Sequence, residues 1–373
     1  MKKKKFFLEA IKLAEKVKGL TSPNPSVGCI IEKDGVIIGR GATEKAGFDH
    51  AEIVALKQAG NKAKGSTVYV TLEPCVEYEG KRTPSCAKAL IDAGVKKVVV
   101  GMKDPNPKVK GKGIEMLRKA GIEVEFTLYH HKELLNLNED FFKYITTGKP
   151  FIYAKAAITL DGNIATSNGD SKWISCEKSR DFVQRLRNRM DAILVGVGTV
   201  LRDDPELSVR IKNKHKDPLR VIIDPEGLTT EKYKVMSDNL PTLFVVGAKV
   251  KKTFIDICKK FNKDFIKFDE EDLSFKAIFD LLGKRNISSI LVEGGSRVFY
   301  RLFNEGLVDK IFLFIAPKML LGNGIPLLSG KGKENMCEAV KIIDFSSENI
   351  GEDILIQGYL TNYGNDCKQH FVL

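Results

Sequence analysis

Four residues in the first quarter of the chain combine the types and spacing of a zinc centre with those of a proton carrier. His50 and Glu52 open a predicted helix, Cys75 ends a predicted strand, and Cys86 begins the next predicted helix. One imidazole and two thiolates make a three-ligand zinc site with a fourth position open to water, and a bound zinc lowers the pKa of that water to about 7. A carboxylate beside such a site can carry the proton to a departing amine, so the pattern predicts hydrolytic deamination.

Two simpler interpretations of these residues stay open: a structural zinc site, and buried cysteines without a metal. A structural site takes four protein ligands, and no fourth cysteine or histidine lies nearby in the sequence. His-x-Glu alone is weak evidence, but here Glu-Pro-Cys follows at a strand end and a second cysteine opens a helix. We therefore predict a catalytic site in which His50, Cys75 and Cys86 bind one zinc ion per chain and Glu52 transfers protons.

Glycines in the second half of the chain follow two predicted strands. Gly294-Gly295 comes between a strand and a helix, and Gly196-Val197-Gly198-Thr199 repeats the arrangement. Backbone amides without side chains can approach a phosphate at a helix N-terminus. Neither segment is a full dinucleotide fingerprint, so close packing is the competing interpretation. Two such strand ends in one domain favour a cofactor site.

The elements that must position these residues alternate between strands and helices. The first part is predicted to begin with an amphipathic helix over 7–17 and a hairpin of strands 27–31 and 36–39 around Asp-Gly. Helices at 50–60, 84–94, 113–120 and 131–147 then alternate with strands at 67–72, 97–102 and 122–126. Pro150 forbids continuation of the last helix, so we place a domain boundary near Lys149.

The second part repeats the alternation. Strands are predicted at 151–158, 192–196, 219–223, 242–246, 290–293 and 311–316, with helices that include 177–190, 275–283 and 296–305. Strand–helix–strand repetition predicts a mostly parallel sheet covered on both faces, with ligands at the carboxyl ends of its strands. The fold class is therefore α/β.

Charge and composition narrow the class of protein. The 373 residues include 60 Lys+Arg and 48 Asp+Glu, which gives a net charge of +12. This charge suits a phosphorylated ligand, and the alternative is that the surplus lysines keep the surface soluble. A nucleic-acid-binding module is disfavoured because only 8% of residues are aromatic and no basic–aromatic motif occurs. No apolar run reaches the roughly 18 residues of a membrane span, and seven scattered cysteines fit a reducing compartment. We expect a cytoplasmic enzyme.

The deaminase motifs are similar to those of a known family. Thr21-Ser22-Pro23-Asn24-Pro25-Ser26-Val27-Gly28, His50-Ala51-Glu52, Glu73-Pro74-Cys75, Thr83-Pro84-Ser85-Cys86 and Lys103-Asp104-Pro105-Asn106-Pro107 resemble the riboflavin-biosynthesis pyrimidine deaminases. Bifunctional bacterial members of that family carry a reductase that resembles dihydrofolate reductase. The resemblance covers nearly the whole chain. It implies zinc and NADPH as cofactors, and it places Asn24 against the pyrimidine.

The second half also resembles this family, in the segments 155–162, 171–175, 191–200, 203–205 and 292–296. Carried over residue by residue, the resemblance assigns cofactor contacts to Ala157, Trp173, Thr199, Asp203, Gly295, Ser296, Arg297, Val298, Phe299, Tyr300 and Arg301. It assigns substrate contacts to Ser171, Arg187, Leu207, Arg210 and Glu293. The two substrate arginines suit a ribose phosphate, and surface charge is their competing interpretation. Trp173 is flanked by polar residues, which suits a site wall better than a core.

The loop between the two ligand cysteines departs from the family pattern. Members usually have eight residues there, with a histidine soon after the first cysteine, whereas ten intervene here and Glu77 and Tyr78 stand where that histidine is expected. Lys81 and Arg82 in this loop could bind a phosphate, and a solvated turn is the alternative.

The sequence and the resemblance together predict a cytidine-deaminase-like three-layer domain over 1–148, a dihydrofolate-reductase-like α/β domain over 149–363 and a frayed tail at 364–373. The expected reactions are deamination of 2,5-diamino-6-(5-phosphoribosylamino)pyrimidin-4-one and reduction of its ribosyl group by NADPH, giving 5-amino-6-(5-phosphoribitylamino)uracil. The alternative is a zinc deaminase of another nucleoside or a tRNA base, fused to an unrelated reductase. We expect a small phosphorylated pyrimidine as partner, no nucleic acid or membrane, and a homo-oligomer.

Overall fold

The computed structural model describes residues 2–80, 83–127, 129–270 and 273–360. They fall into two compact units that divide between Lys149 and Pro150. Lys81 and Arg82, for which phosphate binding and a solvated turn both stayed open, lie outside the described residues, as does the predicted tail 364–373. Among the helices that are described, none is both long and apolar enough to cross a membrane.

The first unit is a five-stranded sheet with helices. Its elements are α1 (Lys2–Val17), β1 (Gly28–Lys33), β2 (Val36–Ala42), α2 (Ala51–Ala59), β3 (Thr67–Leu72), α3 (Cys86–Asp92), β4 (Lys97–Met102), α4 (Lys112–Lys119), β5 (Glu123–Phe126) and α5 (His131–Thr147). The sheet order is β2-β1-β3-β4-β5. Strand β1 is antiparallel to β2 and β3, whereas β3, β4 and β5 are parallel. The carboxyl ends of β3 and β4 therefore lie at one edge of the sheet.

Two glycines show how helices cover both faces of this sheet. A Cβ on Gly28 would lie 1.9 Å from the carbonyl oxygen of Ala10 in α1, and one on Gly41 would lie 2.0 Å from that of Ala51 in α2. Gly28 pairs with Ala42, the neighbour of Gly41, so the two glycines point to opposite faces. The predicted three-layer arrangement is confirmed, and glycine is required because each helix backbone touches the sheet.

The second unit is built around a nine-stranded sheet. Its elements are β6 (Phe151–Thr159), β7 (Asn163–Ala165), α6 (Glu177–Arg187), β8 (Ala192–Gly196), α7 (Val197–Asp203), β9 (Leu219–Ile223), α8 (Lys234–Ser237), β10 (Thr242–Val246), α9 (Lys252–Lys260), β11 (Asp264–Lys267), α10 (Phe275–Lys284), β12 (Ser289–Gly294), α11 (Ser296–Asn304), β13 (Lys310–Ala316), β14 (Ile325–Pro326), β15 (Ile342–Ile350) and β16 (Asp353–Leu360). The sheet order is β11-β10-β9-β8-β12-β6-β13-β16-β15. The seven strands from β11 to β13 in this sheet order are all parallel, which agrees with the predicted mostly parallel sheet.

Alternate residues of the central strands pack into two separate cores. In β8, Ala192 and Leu194 belong to one core, whereas Ile193 and Val195 belong to the other. Both faces of the sheet are therefore covered, which confirms the predicted α/β class.

Several elements of this unit were not predicted. The antiparallel hairpin of β15 and β16 is the largest of them. Most of β15 is exposed, so its sequence lacks the alternation of apolar and polar residues that marks a half-buried strand. The helix predicted over 177–190 ends earlier, at Arg187.

Candidate active sites

Three side chains of the first unit converge as predicted from their spacing. His50 caps the start of α2, Cys75 follows β3, and Cys86 is the first residue of α3. The Nδ1 atom of His50 lies 3.4 Å from the Sγ atoms of both Cys75 and Cys86, and all three ligand atoms lie within 4.8 Å of one another. Tetrahedral zinc with bonds of about 2.0 Å to nitrogen and 2.3 Å to sulfur spaces its ligands similarly. Within the described ranges this is the one His/Cys/Asp/Glu cluster able to hold a metal.

Neighbouring polar groups orient these ligands. Thr83 Oγ1 lies 3.1 Å from Nε2 of His50, so the second ring nitrogen has a partner while Nδ1 faces the cysteines. The hydroxyl of Ser85 donates to the carbonyl oxygen of Cys75 (3.1 Å) and accepts from the backbone N–H of Lys88. It thereby caps α3 and ties that helix to the loop of the other cysteine ligand.

Glu52 lies beside the cluster without belonging to the ligand set. Its side chain is 3% exposed and hydrogen-bonded to Cys86. The pKa of Glu52 is raised to about 7: burial is the main cause, Cys75 also raises it, and His50 opposes the rise. A buried carboxylate next to a three-ligand metal site has the position of a proton carrier.

Two buried carboxylates near the cluster were not predicted as site residues. Glu73 ends the strand that leads to Cys75, and its oxygens accept backbone N–H groups of Asp104 (3.2 Å), Gly111 (2.9 Å), Gly113 (3.0 Å) and Ile114 (3.3 Å). Burial raises the pKa of Asp104 to about 7. In the sequence, only its place in the Glu-Pro-Cys motif could have marked Glu73 as a site residue. Its hydrogen-bond partners lie more than thirty residues away, so no local pattern reveals them.

Asn24, the predicted pyrimidine contact, lies in the turn before β1. Its backbone N–H donates to the carbonyl oxygen of Thr21 (2.9 Å), and the Thr21 hydroxyl donates to the Asn24 carbonyl (3.1 Å). The described contacts do not join Asn24 to the metal ligands, and its role in substrate binding stays a prediction.

The second unit holds a cavity of about 870 Å³ at the carboxyl ends of its parallel strands. This volume is in the range of small-molecule and cofactor sites. The structure brings most of the predicted contacts to its wall: Ala157, Ser171, Trp173, Arg187, Thr199, Asp203, Arg210, Glu293, Gly295, Ser296, Arg297, Val298, Phe299 and Arg301. Leu207 and Tyr300 are not among the lining residues. Leu207 is 3% exposed, and the Tyr300 hydroxyl donates to the carbonyl of Lys331 instead.

The glycine segments meet at this cavity. Gly295 has a φ of 95°, which favours glycine, and a Cβ there would lie 3.2 Å from Cγ2 of Val298 and 3.7 Å from the backbone nitrogen of Gly196. A Cβ on Gly294 would lie 2.9 Å from Oγ1 of Thr199. The ends of β8 and β12 thus approach closely, and the N-terminus of α11 opens into the same cavity, where it can bind an anion.

A buried ion pair forms another part of the wall. Arg187 donates from Nε to Oε1 of Glu293 (2.6 Å) and from Nη2 to Oε2 (2.8 Å), and its Nη1 donates to the carbonyl of Ser208 (3.0 Å). Burial opposes ionisation of Glu293, but the adjacent Arg187 and Lys155 hold its pKa below the usual value. Lys155 was missed as a site residue. It lines the cavity, and burial lowers its pKa.

The exposed rim of the cavity carries a stacked pair. Trp173 is 63% exposed, and the Arg180 guanidinium lies over its ring at 4.6 Å from the centroid. Trp173 is therefore part of a site wall, not of a core. Arg210 at the same rim is exposed and lies 3.4 Å from a Glu206 oxygen. Asp203 is half-buried, and burial raises its pKa.

Comparisons with known proteins agree with this division. Residues 1–102 match the cytidine and deoxycytidylate deaminase zinc-binding region, and residues 150–356 match the RibD C-terminal domain. The chain is 43% identical to the riboflavin biosynthesis protein RibD of Aquifex aeolicus over 95% of this chain and 97% of that protein.

Solved structures of relatives have the same fold over nearly the full length. Acinetobacter baumannii RibD is 34% identical, with a TM-score of 0.84 over 96% of this chain and 99% of the other. A Thermotoga maritima diaminohydroxyphosphoribosylaminopyrimidine deaminase/5-amino-6-(5-phosphoribosylamino)uracil reductase is 35% identical, with the same TM-score and the same coverage.

Proposed function

Because the chain belongs to the RibD family of riboflavin biosynthesis proteins, we propose that its two units act in sequence on one phosphorylated pyrimidine. The first unit deaminates 2,5-diamino-6-(5-phosphoribosylamino)pyrimidin-4-one. The second reduces the ribosyl group of the product with NADPH, which gives 5-amino-6-(5-phosphoribitylamino)uracil. The bifunctional deaminase and reductase predicted from the sequence is favoured over a nucleoside or tRNA deaminase fused to an unrelated reductase.

The convergence of His50, Cys75 and Cys86 beside a buried Glu52 is the observation that carries this function. Two thiolates and one imidazole suit zinc, which when bound activates water for attack on the amino-bearing carbon. Glu52 is the group placed to take a proton from the attacking water and to deliver it to the departing amine. Thr83 and Ser85 orient the ligands through the hydrogen bonds described above.

The cavity of the second unit supplies the reductase site. NADPH carries the reactive hydride, and the protein supplies binding and orientation. The N-terminus of α11 at Gly295 and Ser296 suits a cofactor phosphate. Glu293 and Lys155 place opposite charges in the cavity wall, where they can hold the hydroxyl groups of the ribosyl chain. Arg187 keeps Glu293 ionised and in one orientation.

We further propose that the partner is this small molecule, not a nucleic acid or a membrane, and that the enzyme works in the cytoplasm. The free cysteines of the described chain support a reducing compartment. A homo-oligomer is supported by the edge strand β15, where the Phe345 side chain is 67% exposed. Light scattering of the purified protein measures that state directly.

One incubation tests the main proposal. The purified enzyme is supplied with the diaminopyrimidine ribosylamine phosphate and NADPH, and ammonia and the ribityl product are identified. We expect both products in sequence. Absence of ammonia release from this substrate by zinc-loaded enzyme would contradict the deaminase assignment.

A further inference from the structure

A tyrosine and a lysine form a wall beside the metal cluster that the zinc chemistry does not use. Tyr78 packs against the buried group formed by Cys75, Cys86 and Val109. The Nζ atom of Lys108 lies over the Tyr78 ring, 5.3 Å from its centroid. An ammonium at this distance is attracted to the electron-rich face of the ring, so the contact holds a positive charge close to the metal ligands.

The loop that carries Lys108 is anchored to the strand that leads to the first cysteine ligand. The Glu73 carboxylate accepts backbone N–H groups on both sides of Lys108, from Asp104 and from Gly111. Val109 is 1% exposed and belongs to the same buried cluster as the two cysteines. With Glu73 holding both ends of the loop and Val109 buried in its middle, the backbone of Lys108 is fixed beside the metal cluster.

The charge of Lys108 lacks a carboxylate partner in the part of the chain that the structure describes. The only acidic residue between 103 and 112 is Asp104, which is buried and accepts the backbone N–H of Asn106 at 2.8 Å. The other charged side chains of this loop are the exposed lysines Lys103, Lys110 and Lys112. The Lys108 ammonium is thus exposed and available to an anionic ligand.

We infer that Tyr78 and Lys108 recognise the phosphate of the deaminase substrate: Lys108 binds the phosphate monoester, and Tyr78 positions the ammonium. The inference rests on the proposed deaminase function. A phosphate monoester carries a charge of about −1.5 to −2 at neutral pH, so a lysine at this wall attracts it strongly. Tyr78 packs against the cysteine cluster and lies under the Lys108 ammonium, so its ring holds that charge beside the candidate metal site.

The decisive comparison is between Lys108→Met and the matched control Lys110→Met, an exposed lysine of the same loop. Ammonia release is measured with the phosphorylated pyrimidine and with its dephosphorylated form. We expect Lys108→Met to raise KM for the phosphorylated substrate by about 10- to 100-fold, the range for loss of one hydrogen bond to a charged group, with little change in kcat. The KM for the dephosphorylated form should not move. Inorganic phosphate should inhibit the wild type competitively and this variant more weakly.

Variants of Tyr78 test the positioning role. Tyr78→Phe retains the aromatic face and should keep the wild-type KM, whereas Tyr78→Leu should raise KM in the same direction as Lys108→Met. Zinc content and NADPH oxidation with the deaminated substrate show that each variant is folded.

The outcomes separate this inference from the function on which it rests. If the wild type releases no ammonia from this pyrimidine, the proposed function fails. If the wild type turns it over but Lys108→Met behaves like Lys110→Met, or affects both forms of the substrate equally, Lys108 does not bind the phosphate and the inference is overturned while the function stands.

Discussion

Arg187 and Glu293 form a bidentate ion pair in the cavity wall of the second unit, with N···O distances of 2.6 and 2.8 Å. The two residues lie on α6 and β12, 106 positions apart in the chain. Both side chains are largely buried, so their mutual attraction offsets the cost of removing each charge from water. The guanidinium also donates to Ser208. Arg187 therefore keeps the Glu293 carboxylate ionised and in one orientation in the cavity wall.

Loss of the Glu293 charge should stop reduction and spare deamination. We expect Glu293→Gln to lower the rate of NADPH oxidation with the deaminated substrate by about 10²-fold or more, while ammonia release from the first substrate continues. Glu348→Gln on the exposed strand β15 is the matched control. Paired assays of ammonia and NADPH absorbance decide the outcome. If Glu293→Gln silences both activities in a folded protein, the two sites do not work independently.

The stability of the second unit should depend on pH through the same pair. The pKa of Glu293 in the folded protein lies below 4.5, so ionisation of this residue stabilises the fold above that pH and the contribution is lost as pH falls through the lowered value. Between about pH 6 and pH 3 the wild type should therefore lose more free energy of unfolding than Glu293→Gln. Denaturant titrations followed by the fluorescence of Trp173, the single tryptophan, measure this. Equal losses in both proteins would show that the pair does not govern acid stability.

Zinc should bind once per chain and depend on the two thiolates. We expect the double variant Cys75→Ala/Cys86→Ala to lose the metal, because a single remaining imidazole cannot hold it. Cys337→Ala removes an exposed cysteine of the other unit and should leave the zinc content unchanged. Elemental analysis of the purified proteins gives the number of zinc ions bound per chain. Full retention of zinc by the double variant would place the metal elsewhere.

Glu52→Gln should separate proton transfer from metal binding. The amide keeps the shape of the side chain but cannot accept the proton, so ammonia release should fall by about 10²–10⁴-fold while zinc stays bound. Reduction of the deaminated substrate should be unchanged, because its site lies in the other unit. Near-normal ammonia release by this variant would mean that another group moves the proton.

The sequence by itself predicted which residues form the candidate metal cluster and which elements carry them. Few residue types bind zinc, so His50, Cys75 and Cys86 stood out as candidates. They lie in short motifs at predicted strand and helix ends, so they could be predicted to converge. Strands such as β3 and β8 have the predicted bounds, because buried parallel strands are short apolar runs between turn signals.

Only the tertiary structure decided which distant charges meet. Glu73 reaches backbone groups of the loop 104–114, Lys155 lies near Glu293, and Lys108 rests on Tyr78, although no local pattern links these residues. Strand β15 of the β15–β16 hairpin was missed for a related reason: it is mostly exposed, and its sequence does not alternate in hydrophobicity. Periodicity reports burial within one element, whereas ion pairs and loop anchors depend on the order of strands in the sheet and on which strand ends face one another.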